Sequence, residues 1–386
     1  MIYLDNSATT ALCPEAKASI IEGLEIYGNP SSRHTLGVSC AAALEEARAN
    51  VAISLGLRRT DSRRIIFTSC GSESNNLALL GCVYAKDKRR AGKIICTDSE
   101  HPSVENVMSR LEKDGFEVIR IPTRGGIFDF EAFKEQMDDK VMLVSVMRVN
   151  NETGAVYDTK KIFEYAKSVS PQVITHCDAV QGFLKVDCNP QKMSADLMSI
   201  SAHKVHGPKG VGALYVSQEI VKSKKITPHL IGGGQEGGLR SGTENMLGIM
   251  GFSAAARAGF ENFSKNKDKI LRLRELCVKG VTRAGASVNM PQGEMAPHIV
   301  SVRLPYIKSE TMLNFLSGKG ICVSSGSACS SHSGHISNAL MGFGLEKAEA
   351  DSTIRVSLCE YNTEEEIETF SQALSEGIKM LIKFRR

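Results

Sequence analysis

The sequence predicts an α/β protein: a mixed, mostly parallel seven-stranded sheet covered by helices, with a smaller α+β domain beside it. Three observations carry this. Seven short, nearly continuous apolar runs recur at 64–68, 93–97, 116–121, 140–149, 172–177, 195–201 and 212–216, as strands buried on both faces require. Helical periodicity separates several of them, at 103–113 and 159–169, which is how parallel strands alternate with crossover helices. The last two runs are joined only by the turn at 203–210, too short for a helical crossover, so one strand there runs antiparallel.

The remaining elements follow in order. An alanine-rich amphipathic stretch at 39–55 reads as a helix packed early on the sheet. The run at 64–68 leads through small residues into an apolar-periodic helix at 77–84. Beyond a glycine-rich loop at 232–238, residues 243–263 and 267–284 read as two further helices. They lead into strand-like 298–304, helix-like 309–317, strand-like 321–324 and 353–358, and a terminal helix at 363–384. At 386 residues the chain exceeds one typical domain. The expected division is a large domain over 15–260 and a small one made of 1–14 and 261–386.

Bulk properties exclude several classes of protein. Hydrophobic residues make up 42% and charged residues 23%, an ordinary globular balance. The 47 basic and 43 acidic side chains are mixed along the chain, so the net charge of +4 gives no case for nucleic-acid binding. No apolar run approaches the ~18 residues of a membrane span, and the start Met1-Ile2-Tyr3 lacks a signal-type pattern, so a cytoplasmic location is expected. None of the 11 cysteines is spaced as C-x-x-C, which argues against a zinc ribbon or a redox pair. Cys82, Cys96, Cys177 and Cys277 sit in apolar contexts and read as small hydrophobes.

The chemistry concentrates at strand exits. Ser201-Ala-His-Lys-Val-His-Gly-Pro-Lys-Gly210 places Lys204 just past an apolar run and before a glycine-rich turn. An amine held there suits a Schiff base with an aldehyde cofactor, which points to pyridoxal phosphate. An ordinary surface loop is the plain alternative. Asp178 ends the preceding run; a fixed carboxylate beside the cofactor's ring nitrogen would keep that nitrogen protonated, although a solvated helix cap is the common role for such an Asp. Thr68-Ser-Cys-Gly-Ser-Glu-Ser-Asn-Asn76 joins a strand to a helix N-terminus, an anion site in which Gly71 and Ser72 would take the phosphate. Each piece alone is weak, but three strand exits supplying three parts of one cofactor site are not.

One cysteine stands apart. Cys329 lies in Val323-Ser-Ser-Gly-Ser-Ala-Cys-Ser-Ser-His-Ser-Gly334, a run of small polar residues suited to an exposed loop, where a thiol could reach out and react. His332 or His335 could serve it as a base.

Taken together these segments resemble the cysteine desulfurases, the NifS/IscS-like members of the class-V aminotransferase family, pyridoxal-phosphate enzymes of fold type I. The match runs nearly end to end. It includes Tyr3-Leu-Asp-Asn-Ser-Ala-Thr-Thr10, Gly28-Asn-Pro-Ser-Ser-Arg-His34, Glu100-His-Pro102, Val149-Asn-Asn-Glu-Thr-Gly154, Arg240-Ser-Gly-Thr-Glu-Asn245 and Ser352-Thr-Ile-Arg-Val-Ser357.

The resemblance implies that Lys204 carries the cofactor and later moves protons at the substrate Cα, and that His101 stacks on its ring. It implies that Asn151 and Gln181 contact the phenolic oxygen, with Asn151 also touching substrate, and that Asp178 holds the ring nitrogen. Phosphate contacts fall to Gly71, Ser72, Ser201, Ala202 and His203, with Thr243 reaching across from a second subunit of a homodimer. Arg355 would bind the carboxylate of L-cysteine, and Cys329 would take its sulfur as a persulfide for an acceptor protein in iron–sulfur assembly or tRNA thiolation. Three places depart from the family pattern: Cys70 for a glycine, Gly237 for an arginine, and Cys359-Glu360 for a small residue and an arginine. A selenocysteine lyase or another class-V enzyme, and a catalytically weak sulfur-relay scaffold, stand as the alternative readings.

Overall fold

The computed structural model describes residues 1–85, 92–326 and 337–383. Its strands in chain order are β1 (Ile2–Tyr3), β2 (Ile65–Thr68), β3 (Lys93–Thr97), β4 (Glu117–Ile121), β5 (Val141–Ser145) and β6 (Ile174–Asp178). They continue with β7 (Leu197–Ser201), β8 (Gly212–Val216), β9 (Ser287–Val288), β10 (Ile299–Arg303), β11 (Ile321–Cys322) and β12 (Thr353–Ser357).

Seven of them form one sheet in the order β2-β8-β7-β6-β5-β3-β4. Only β8 runs against its neighbours, paired antiparallel to both β2 and β7, as the short turn between β7 and β8 dictates. Every residue of β2, β3, β5, β6, β7 and β8 is buried. That accounts for their unbroken apolarity, since helices cover both faces; β4, at the edge, keeps polar, partly exposed positions. One side of the sheet packs against the helices Thr35–Ser54 and Thr159–Val169, and the other against Gly71–Val83 and Pro102–Lys113.

The run at 140–149 is longer than its strand. Val146 and Arg148 still donate to the backbone oxygens of His176 (3.0 Å) and Asp178 (2.9 Å), but the ladder stops at Ser145. Val149 instead bridges to Val156 across a turn that Gly154 makes possible at φ +75°. Its apolar residues are core, carried on an extended loop that leads to Asn151.

A second core lies outside this sheet. Leu4, Leu273, Val300, Val302, Met312, Ile354 and Phe370 pack together between the antiparallel sheet β12-β10-β9 and the helices Phe263–Arg283 and Glu364–Lys383. The segment leading from β1 ties this region to the large sheet. β1 pairs with β11, Asn6 Nδ2 donates to the Ser357 backbone oxygen (2.9 Å), and Thr10 N donates to the His203 backbone oxygen (2.9 Å).

Candidate active site

The parallel strands β2, β7, β6, β5 and β3 all end on the same edge of the sheet, where loops leaving neighbouring strands open a crevice. A cavity of about 240 Å³ sits there, lined by Gly71, Ser72, His101, Asn151, Asp178, Gln181, Ser201, His203, Lys204 and Arg355, all singled out in the sequence. Residues from both ends of the chain meet around it.

Lys204 ends a single 3₁₀ turn, Ala202–Lys204, directly after β7. Its Nζ donates to the backbone oxygens of Ser7 (2.6 Å) and Ala8 (2.8 Å). Asp178 closes β6, and both of its oxygens are engaged: Oδ2 accepts from Asn75 Nδ2 (2.8 Å) and Oδ1 from the Val180 N–H (3.0 Å). Because it is held from two sides, this carboxylate cannot rotate away from the cavity.

Asn75 Nδ2 also donates to Ser103 Oγ (2.8 Å), which lies 2.8 Å from His101 Nδ1. The Ser103 N–H points at the same ring nitrogen (3.1 Å), so Nδ1 accepts and the proton of the neutral ring sits on Nε2. The pKa of His101 is lowered, first by burial and then by the charges of Lys204 and Arg355, against the pull of Asp178. Below the site, burial pushes Glu100 up to about 8, with Asp178 reinforcing the shift, and takes His176 down to about 4. Both are then uncharged near neutrality, and the negative charge of Asp178 stands out against them.

Gly71 opens the helix Gly71–Val83, whose first-turn N–H groups and dipole favour an anion. A Cβ at Gly71 would lie 2.7 Å from Val180 Cγ2, so only glycine brings the helix this close to the loop after β6. Cys70, where the resemblance leads one to expect a glycine, is accommodated without strain. Its backbone is fully extended, and its Sγ caps the helix by accepting from the Glu73 N–H (3.4 Å). Gly237, where the resemblance leads one to expect an arginine, sits at φ +65° with open space around it; a side chain there would meet a backbone penalty but no clash.

Arg355, on β12, is 3% exposed. Its Nη1 donates to the Asn151 backbone oxygen (2.8 Å) and its Nη2 to Asp5 Oδ1 (3.0 Å). Gln181 is anchored at both ends of its amide, donating to the Ser7 backbone oxygen (2.9 Å) and lying 3.3 Å from His298 Nε2. Among the described residues, Ser7 Oγ, Ser201 Oγ and Arg355 Nε are buried without a hydrogen-bond partner. Three orphaned polar groups on the wall of one cavity fit a polar ligand. An anion-holding helix end, a fixed carboxylate and a lysine make that donor set suitable for pyridoxal phosphate.

One expected contact is not made here. Ala202 is fully buried behind the cavity, with its N–H already donating to Val211 O (3.3 Å) and its side chain away from the lining. Thr243, expected to reach the site of a second subunit, is exposed and does not line the cavity of its own chain. Cys329, with His332 and His335, lies outside the described residues. Conversely, Asn75, Ser103, Ser7 and Asp5 hold the site yet received no role from the sequence. Asn75 stands one helical turn after Gly71, on the same face, which is the one local signal that could have marked it.

The sequence pattern of the family described as "Aminotransferase class-V" matches residues 2–370. A protein named "Cysteine desulfurase" from Trichormus azollae is 38% identical over 385 residues, covering 99% of this chain and 94% of that relative. A solved structure described as "NIFS-LIKE PROTEIN" superposes with a TM-score of 0.91 at 35% identity, covering 98% of this chain and 99% of the other. Another, described as "SspA in complex with cysteine", gives 0.82 at 30% identity over 94% and 100% of the two chains. With the family pattern spanning both cores and both halves of the cavity, the chain belongs to the class-V aminotransferases, a family of pyridoxal-phosphate-dependent enzymes.

Proposed function

We propose that this protein is a cysteine desulfurase that moves sulfur from L-cysteine onto Cys329 and releases L-alanine. The observation that carries the reading is the convergence of Lys204, Asp178, His101, the Gly71–Ser72 turn and Arg355 on a single cavity. The similarity to cysteine desulfurases over nearly the whole chain, and to a structure holding cysteine, supports the substrate.

Pyridoxal phosphate, when bound, supplies an electron sink that stabilises negative charge at the substrate Cα. Gly71, Ser72 and Ser201 would hold its phosphate, assisted by His203 and by Thr243 of a second copy; Ala202 would contribute only the shape of the turn. Asp178 would keep a proton on the ring nitrogen, Gln181 and Asn151 would contact the phenolic oxygen, with Asn151 also touching substrate, and His101 would stack on the ring. Lys204 supplies the amine and carries the proton to and from the substrate Cα. Arg355 binds the substrate carboxylate, where a planar guanidinium suits two oxygens.

Cys329 is the nucleophile. Its thiolate attacks the substrate sulfur, an S–S bond forms as the Cβ–S bond breaks, and the electron pair stays on the carbon skeleton. That skeleton takes up protons and leaves as alanine. We further propose a homodimer that hands the persulfide sulfur to an acceptor protein of iron–sulfur assembly or tRNA thiolation in the cytoplasm. Among the described residues no helix is long and apolar enough to cross a membrane. The large domain is taken as 15–260 and the small one as 1–14 with 261–386, a division supported by the separate apolar core around Val300 and Phe370.

The test is incubation with L-cysteine and a reductant, following both products. Alanine and sulfide should appear in equal amounts, and Cys329→Ser should retain the cofactor but accumulate no protein persulfide. Full sulfur transfer by Cys329→Ser would assign the nucleophile elsewhere.

A further inference from the structure

Behind the cavity, on the far side of the Lys204 turn, a second set of side chains takes no part in the chemistry above. His206 follows Lys204 by two residues, and Cys359 and Glu360 lie just past β12; an imidazole nitrogen, a thiol sulfur and a carboxylate oxygen come within 4.8 Å of one another. We propose that His206, Cys359 and Glu360 form a transition-metal site, for Zn²⁺ in the first instance, that clasps the Lys204 turn to the strand bearing Arg355.

The orientation of the imidazole is the first support. His206 Nδ1 lies 2.9 Å from the Ala11 backbone oxygen, and a carbonyl can only accept, so Nδ1 carries the proton. Nε2 is left for a metal or a second proton, the arrangement by which a backbone carbonyl orients a metal-binding histidine. Without metal the proton is favoured, since against the effect of burial Cys359 and Glu360 raise the imidazole pKa to about 9, and zinc must displace it. His206 is 5% exposed, and among the described residues its Nε2 has no hydrogen-bond partner.

The second support is what Nε2 faces. Glu360 Oε2 lies 3.4 Å away, also without a hydrogen bond among the described residues, while Oε1 accepts from Asn266 Nδ2 (3.2 Å). Two acceptors turned toward each other in a buried place are costly unless a cation or proton sits between them. A tetrahedral ion with bonds of about 2.1 Å separates its ligands by about 3.4 Å. Cys359, buried at 4% exposure, adds a sulfur ligand, which selects zinc and its softer neighbours over calcium or magnesium.

The surroundings agree with a built site. His206 is held in the left-handed region at φ +64°, costly for a residue with a side chain. The Tyr361 ring packs edge-on against the imidazole at 4.9 Å. A cavity of about 320 Å³, bordered by His206, Glu360, Cys13 and Tyr361, leaves room for water as a fourth ligand. Lys185 Nζ stands 3.8 Å from Glu360 Oε2 and adds a positive charge, which sets the affinity below that of an all-cysteine site. Cys359 and Glu360 are also positions at which the sequence resemblance leads one to expect a small residue and an arginine.

The test uses the holoenzyme in a Cys329→Ser background, so that the sulfur-transfer thiol does not compete for metal. After chelation and dialysis against buffered ZnCl₂, the protein should bind one zinc per chain, with an X-ray absorption edge showing a single sulfur neighbour. Cys359→Ser and His206→Gln should each weaken binding by at least about 100-fold, more than the loss of a residue that merely orients a ligand. Zinc should raise the melting temperature of the parent but not of Cys359→Ser; Glu360→Gln, a milder change, decides the matter if either variant misfolds. No uptake at micromolar free zinc, or uptake unchanged in these variants, would overturn the proposal. A nitrogen-15 spectrum showing His206 as an imidazolium paired with Glu360 under saturating zinc would do the same. No substrate is present, so the outcome is independent of the desulfurase reading.

Discussion

The turn after β7 has two faces, and they are built in opposite ways. On one, Lys204 and its neighbours look into a cavity where Asp178 is pinned by Asn75 and Val180 and His101 is fixed by Ser103. On the other, His206 Nε2 and Glu360 Oε2 face each other at 3.4 Å with no hydrogen bond completed among the described residues, a gap that a proton or an ion must bridge. Groups that must keep one charge state through a reaction are surrounded by partners, whereas groups that need something brought to them are left unsatisfied. Buried polar atoms are informative in both cases, but what they report depends on whether their hydrogen bonds are complete.

The largest effect is expected at the catalytic face. Lys204→Ala should lower alanine production by about 10³-fold or more with an unchanged circular dichroism spectrum, because a nucleophile and proton carrier are removed together. Asp178→Asn, which keeps the shape and an acceptor for Asn75 but not the charge, should cost about 10²-fold in kcat. A variant as active as the parent would show that the pinned carboxylate is structural.

The buried acid beneath the site sharpens the contrast through pH. Glu100 ionises near 4.5 when unfolded but near about 8 in the fold, so the native state holds the extra proton between those values. Stability should therefore fall as pH rises through that window, by an amount of the order of a few kcal/mol. Urea midpoints at pH 5.5 and 8 read this, and Glu100→Gln should flatten the difference; an equal slope in both proteins would place the titration elsewhere. The smallest effect is expected at Gly71→Ala. Its Cβ collides with Val180, at a cost of about 1–3 kcal/mol, which Val180→Ala should largely restore in a thermal melt.

The sheet was legible because strands buried on both faces write their burial as unbroken apolar runs, and Lys204, Asp178 and Gly71 because each sits where such a run ends. The run at 140–149 misled for the same reason: its last residues are buried without being strand. The supporting polar groups were not legible. Asn75 and Ser103 act through contacts between separate helices, and Asp5 through a pairing with Arg355 from the opposite end of the chain. Nothing local distinguishes such residues from solvated ones. His206 and Glu360 are hidden in the same way, since no spacing rule for metal ligands spans two elements so far apart in sequence.

The strap from Ile2 to Thr10 has a consequence for how the protein is made. It supplies two of the acceptors that hold Lys204, yet two of its anchors, Ser357 and Arg355, leave the ribosome hundreds of residues later. A nascent polypeptide can therefore assemble the large sheet long before it can close the pocket. Chains stalled before Thr353 should resist protease across the sheet while the strap is still cut, so that synthesis yields no prematurely active half-product. Protection of the strap at that length would disprove this order of assembly.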